Sequence, residues 1–199
     1  MIKSFAILLL FLIGFGARGQ NAEKEIKKFQ EELNQEYKDP SKSPLTEEDF
    51  SSFNGLEFYP INLKFRVKAQ WVPFDPPEYF NMATTTDRSP LYAKYGRLHF
   101  KIDGKAYQLV AYQSQDLKRM PQYKDYLFIP FIDETCGVES YGGGRYIEFH
   151  IPDGEEVILD FNQAYNPYCC YKASYSCPIP PEENYLELEI RAGVKAFEK

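Results

Sequence analysis

The sequence predicts a mainly β protein: one antiparallel β-sandwich or partly open barrel of about eight strands, preceded by an amphipathic helix. Three observations predict it. From Leu56 onward the apolar residues take period two, with Ile61, Leu63, Phe65, Val67 and Ala69 alternating with Asn62, Lys64, Arg66 and Lys68, as in a half-buried strand. Asp-Gly pairs at 103–104 and 153–154 stand between apolar runs, and Asp-Gly accepts the positive φ angles of tight hairpin turns. No alternation of strand-like and helix-like segments suggests a parallel α/β sheet.

In chain order, residues 1–19 read as a secretory signal peptide. Lys3 precedes an apolar run from Phe5 to Phe15, and Ala17 and Gly19 occupy the −3 and −1 positions of a cut after Gly19. Export to the periplasm or medium is therefore expected, with no membrane span after cleavage, because no later apolar stretch is long enough. Residues 20–44 form the expected helix and linker. Ile26, Phe29, Leu33 and Tyr37 share one face of a helix over 22–38, which Asp39-Pro40 ends, because the residue before proline avoids the α region. Residues 45–199 make the β domain. Thr46 to Asp49 caps a short helical turn. A strand through Ala69 ends at Pro73, Pro76 and Pro77, and a second is expected over 79–86. Arg97–Ile102 with Ala106–Tyr112, and Arg145–Ile151 with Glu155–Phe161, read as two hairpins. Tyr126–Ile132 and Tyr185–Arg191 complete the set, the last with Leu186, Leu188 and Ile190 on one face.

The formal net charge is −6, and falls to −8 once Lys3 and Arg18 leave with the signal peptide. So acidic a chain is a poor candidate for nonspecific nucleic-acid binding. The four cysteines, Cys136, Cys169, Cys170 and Cys177, in an exported chain favour disulfides. A bridge between neighbours 169 and 170 is strained, so the expected pairing is Cys169–Cys177 with Cys136–Cys170, and the swapped pairing stays open. Neither a metal nor a cofactor is expected: there is no C-x₂-C pair, and His99 and His150 lie far from the cysteines.

Charged, amide, glycine and cysteine residues crowd between Leu127 and Pro181 more densely than plain strands require. Arg145 follows three glycines and opens a strand; its rigid fork suits a carboxylate or phosphate. The competing role is a buried ion pair with Asp133, Glu139 or Asp160, and it is the favoured one. Gly-Gly-Gly-Arg lacks the Lys-Ser/Thr ending of a phosphate loop. Asp133 and Glu139 are the candidates for acid–base catalysis in a metal-independent hydrolase. Arg145, Tyr141, Asp133, Asp160, Asn162 and Asn166 are the candidate ligand contacts, and Tyr141, Tyr146, Tyr165, Tyr168 and Tyr171 could line a cleft for a sugar or small aromatic ligand. Three functions compete: a binding module for a small, anionic ligand, which is preferred; a hydrolase; and a structural or interaction domain without a small-molecule site.

The runs FIPFIDETCGVESYGGGRYIEF, LDFNQAYNPYCCY and CPIPPEENYLELEIRAG together resemble the uncharacterised bacterial and archaeal family called domain of unknown function 1684. The resemblance extends more weakly upstream through Gly55-Leu56, Tyr95 to Phe100 and Asp103-Gly104-Lys105, and so covers most of the mature chain. It implies that Asp133, Thr135, Gly144, Arg145, Asp160, Asn162, Asn166, Cys169, Cys177 and Asn184 are family positions. It implies no reaction. Cys170 stands where the family has Ala, Cys136 replaces a small polar residue, and Val194 stands in place of an acidic one, which weakens any scheme needing a carboxylate there.

Overall fold

A computed structural model of the protein describes residues 6–197, with side chains from Gly19 onward. The expected signal peptide therefore falls almost wholly outside the described side chains. Among the described residues, no helix is long and apolar enough to cross a membrane.

Helix α1 spans Ala6–Lys38 and ends where expected. Ala22, Ile26 and Tyr37 are buried, while Phe29 and Leu33 are half-buried. Tyr37 meets Tyr171 edge-on at 5.0 Å, and the helix also lies against the turns at 63–65 and 161–163. Helix α2, Glu47–Ser52, is capped by Thr46, whose Oγ1 accepts the Asp49 N–H and donates to the Asp49 carboxylate.

Seven strands follow: β1 Arg66–Asn81, β2 Leu91–Ile102, β3 Lys105–Ser114, β4 Tyr126–Asp133, β5 Arg145–His150, β6 Glu156–Asp160 and β7 Tyr185–Leu186. Six lie in the order β5-β4-β3-β2-β1-β6, every neighbouring pair antiparallel, and β7 joins β4 in parallel. The sheet curls into a half-barrel, which is the partly open barrel of the two expected architectures. Its main core gathers Val67, Ala69 and Trp71 of β1, Leu98 and Phe100 of β2, Leu109 and Ala111 of β3, Leu127, Ile129 and Phe131 of β4, and Leu159 of β6. Val110, Tyr112, Phe128 and Tyr146 point the other way, into a second cluster with Met82 and Tyr92. Trp71 packs so closely on β2 that a Cβ at Gly96 would stand 2.4 Å from its ring.

Two expectations change. The prolines do not end β1. Its ladder with β2 breaks after Pro73↔Gly96 and resumes at Glu78↔Lys94. The prolines sit in or beside this bulge, where a missing N–H costs no ladder bond. Of the strand expected at 79–86, residues 79–81 are therefore the tail of β1 and the rest is loop, and the count among the described residues is seven. The two Asp-Gly hairpins also part company. Asp103 and Gly104 both take positive φ, and Ile102 pairs with Lys105 across a two-residue turn. Asp153-Gly154 lacks those angles, and β5 and β6 do not pair; they form opposite edges of the sheet. Each has a better ladder elsewhere. β6 runs along β1 from Arg66↔Asp160 to Gln70↔Glu156, with Arg66 bonded to Asp160 at 2.6 Å, and β5 runs along β4. The local turn signal yields to two tertiary ladders.

β3 and β4 share a single Cα pair, Tyr112↔Phe128, then splay apart. The side chain of Asn184 fills the opening. Its Oδ1 accepts the Val110 N–H at 2.8 Å, and its Nδ2 donates to the carbonyls of Val110 (2.9 Å) and Pro130 (2.7 Å). One amide thus stands in for a strand, with both polarities used. The chain beyond Asn184 stays with β4 for two residues as β7. The rest of the strand expected at 185–191 bends at 187–188, where the Leu188 N–H bonds the Leu186 carbonyl, and forms no ladder, although Leu186 and Ile190 are buried as the alternation predicts.

Replacing Asn184 by Ala leaves three buried backbone groups without partners. Urea denaturation should show a loss of about 3 kcal/mol or more. Asn184→Asp should fail similarly, because a carboxylate cannot donate to the two carbonyls.

Candidate functional site

The residues singled out by the sequence assemble mainly as a frame. Asp133 ends β4, and the loop that follows is tightly wound. The Asp133 carbonyl accepts the Cys136 N–H, and the Thr135 carbonyl accepts those of Val138, Glu139 and Ser140. The glycine run returns the chain to β5. At Gly144, φ is 88° and a Cβ would sit 2.6 Å from the Phe131 carbonyl, so only glycine fits.

Arg145 then enters the interior, with no surface exposed. Its Nη2 bonds Asp133 Oδ1 at 3.0 Å and the Ile190 carbonyl at 2.8 Å. Its Nη1 bonds the carbonyls of Ala192 (2.5 Å) and Val194 (3.3 Å). The guanidinium lies 5.3 Å from the Phe131 ring centre. The chain turns at 190–192 and again at Gly193, whose φ is 81°, and so brings the three carbonyls onto the fork of Arg145, which ties residues 190–194 to the end of β4 and the start of β5. Asp133 is equally occupied: Oδ2 accepts the Ile190 N–H at 2.7 Å and the Thr135 hydroxyl at 2.8 Å, and Oδ1 faces the Cys136 thiol at 3.3 Å. Of the two roles weighed for Arg145, this is the ion pair with Asp133.

The other candidates are local ties. Asp160 accepts from Arg66 and from the N–H and side-chain amide of Asn162. Asn162 pairs through its amide with the backbone N–H and carbonyl of Asn62. Asn166 donates to the Lys195 carbonyl at 2.8 Å. Glu139 takes Arg191 in a two-pronged contact at 2.7 and 3.0 Å, and that guanidinium holds its carboxyl below the ordinary glutamate range. Tyr141 sets its hydroxyl 3.7 Å from the Cys169 sulfur. None of Asp133, Glu139, Tyr141, Arg145, Asn162 and Asn166 lines either of the two described cavities.

The expected disulfides are not formed. Cys136 engages Asp133 and Ser140, while Cys170 is buried among Tyr37, Tyr171 and Val194. Cys136 and Cys170 thus belong to different packing environments. Cys169 and Cys177 lie side by side, with the Cys169 N–H directed at the Cys177 sulfur at 3.1 Å.

A cavity of about 510 Å³ opens on the other face of β4 and β5. Phe29, Glu32, Leu33 and Glu36 of α1 form one wall. Tyr126, Tyr146 and Glu148 of the sheet form another, and Tyr165, Tyr168, Tyr175 and Cys177 a third. Of the five tyrosines expected to line a cleft, Tyr146, Tyr165 and Tyr168 do so. Tyr171 is instead buried against Tyr37, and Tyr141 turns toward Cys169. Tyr146 and Tyr165 meet edge-on at 6.0 Å, the Tyr146 hydroxyl donates to the Pro178 carbonyl, and the Tyr168 hydroxyl bonds Glu36 at 2.9 Å. Glu148 is exposed on β5 yet edged by these rings. Desolvation raises its carboxyl above the ordinary range, with Glu36 adding and His150 opposing. Three carboxylates and six tyrosines line the cavity, and no Lys or Arg does. Sequence reasoning missed Glu32, Glu36, Glu148 and Tyr126. The available signal was the polar side of α1 and the outward alternation of β4 and β5, but which elements meet there is a tertiary matter.

Arg145→Met leaves Asp133 buried without its cation and should destabilise the protein by about 3–5 kcal/mol in urea denaturation. Glu139→Gln breaks a solvent-exposed pair and should leave the urea midpoint nearly unchanged.

A family profile described as "Protein of unknown function (DUF1684)" matches residues 51–195. The solution NMR structure of an uncharacterized protein from Haloarcula marismortui is similar, with a TM-score of 0.70 and 34% identity over 90% of this chain and 96% of that one. No curated protein matches the chain. By the extent of the profile match and by this relative, the chain belongs to the DUF1684 family.

Proposed function

We infer that the protein is an exported binding module for a small organic cation, an amine or quaternary ammonium with an apolar body, held in the tyrosine-lined cavity. The observation that carries this reading is the lining itself: six tyrosines and the carboxylates of Glu32, Glu36 and Glu148, without a lining Lys or Arg. Tyrosine faces attract cations through the ring quadrupole, and the attraction grows where water is excluded. The volume, about 510 Å³, falls in the range of small-molecule sites. Carboxylates facing a concave surface of low polarity concentrate positive charge. An anionic ligand has less support, because Arg145 is committed to Asp133 and three carbonyls. Export rests on the apolar run and small-residue cut site of residues 1–19.

A thermal-shift and calorimetric screen of the mature protein checks this. Choline, aliphatic diamines and polyamines should raise the melting temperature, and phosphates and organic acids should not. Glu148→Gln should weaken a bound amine about tenfold, equivalent to roughly 1.4 kcal/mol. The ionised form of Glu148 attracts the cation, and its carboxyl is raised. Affinity should therefore fall as the pH is lowered, starting above the 4.5 of an ordinary glutamate. A response to anions alone, or none to any amine, would overturn the reading.

A further inference from the structure

Cys169 and Cys177 are eight residues apart in the chain and in contact in space. Local structure puts them there. Cys169 sits in the 3₁₀ turn Tyr168–Cys170, and the loop after it closes on itself through the Lys172 N–H to the Tyr168 carbonyl and the Tyr175 N–H to the Lys172 carbonyl. Cys177 is clamped from outside: its N–H donates to Thr85 Oγ1 at 3.1 Å, and its carbonyl accepts the Thr85 N–H at 2.9 Å. The two sulfurs are inequivalent. Cys169 is partly exposed, whereas Cys177 is buried. Hydrogen bonding from Cys177 chiefly, then from Tyr141 and Thr85, lowers the Cys169 thiol to about 6 against an opposing desolvation. The same contact, with burial, raises Cys177. Tyr141 and Tyr146 are the other titratable groups facing the pair, along with Cys170 near Tyr141. Cys136, by contrast, is raised, chiefly by burial. An accessible thiolate beside a buried partner thiol is the arrangement of a dithiol that exchanges with disulfides.

We propose that Cys169 and Cys177 are a thiol–disulfide exchange site, with Cys169 the attacking sulfur, Cys177 the resolving one, and a small disulfide of the glutathione class as substrate. The Cys169 thiolate attacks one sulfur of the disulfide RSSR, forming the mixed disulfide and expelling RS⁻. Cys177 then gives up its proton to that thiolate and attacks Cys169 Sγ, and a second RS⁻ leaves. The protein is oxidised by two electrons to the Cys169–Cys177 disulfide, and RSSR is reduced to RSH and RS⁻. The site adjoins the tyrosine cavity through Cys177 but does not depend on a ligand there.

The test uses full mature protein, first reduced, then exposed to glutathione disulfide at pH 7 and followed by intact mass and peptide mapping. The wild type should lose two thiols and show a single bridge, Cys169–Cys177. Cys177→Ser should stop at one glutathionyl group on Cys169, and Cys169→Ser should remain unmodified at Cys177. First modification at Cys136, Cys170 or Cys177, or no oxidation at all, would overturn the proposal. A measurement needing no variant is the iodoacetamide rate at each cysteine of the wild type against pH. Cys169 should react fastest, with half-maximal rate near 6. A profile centred at about 8.5, that of an ordinary thiol, would equally overturn it.

Discussion

The buried pair of Asp133 and Arg145 is the constraint to which the C-terminal half of the molecule is tied. Burying two charges is costly unless both are paired and their remaining hydrogen-bonding groups are engaged. Here Asp133 accepts from Arg145, Thr135 and the Ile190 N–H, and Arg145 donates to three carbonyls of the last extended segment. Three carbonyls of residues 190–194 end on that guanidinium, while Val194 bridges to Phe58 and the Gly193 carbonyl accepts the Tyr59 N–H. The pair joins the end of β4, the start of β5 and the chain terminus at one point. Gly144 is needed because β5 must leave that point directly beneath the Phe131 carbonyl.

The same half of the chain repairs what the sheet leaves open. β3 and β4 separate after one pair, and Asn184 occupies the gap. β5 and β6 face one another across the unsealed side of the half-barrel, over a smaller cavity lined by Arg66, Ile147 and Asp160. The tyrosine-lined cavity lies outside the main core, where α1 and the loops around 165–178 fail to close fully on β4 and β5. Its walls come from separate elements held by that frame, which separates the residues that stabilise the fold from those that meet solvent.

Much of the fold was legible because it is written in local terms. The stripe of Ile26 and Tyr37, the cap at Thr46 and the turn at Asp103-Gly104 each depend on neighbours within a few residues. Asp153-Gly154 carries the same dipeptide and makes no hairpin, since β6 gains more from β1 than from β5. Pro73 misled for a similar reason: a bulge absorbs a proline that a regular ladder would reject. At the candidate site, the crowding around Arg145 was visible, and so was its choice between a ligand and Asp133; only the arrival of Ile190, Ala192 and Val194 decides it. The cavity was half legible. Tyr146, Tyr165 and Tyr168 could be named from their clustering, but Glu36 and Glu148 lie far apart in the chain, and nothing local brings them together.

The plug at Asn184 has a consequence for the order in which the molecule can be completed. The meander β1-β2-β3 consists of neighbours in sequence and can pair early. Yet the Val110 amide and carbonyl wait for a residue 74 positions further on. While the chain folds, the middle of the sheet therefore keeps an unfilled edge, exposed until Asn184 docks. The turn that carries Asn184 is the closing piece of a structure begun long before it, and a protein lacking that turn would carry an open, adhesive sheet edge through its middle.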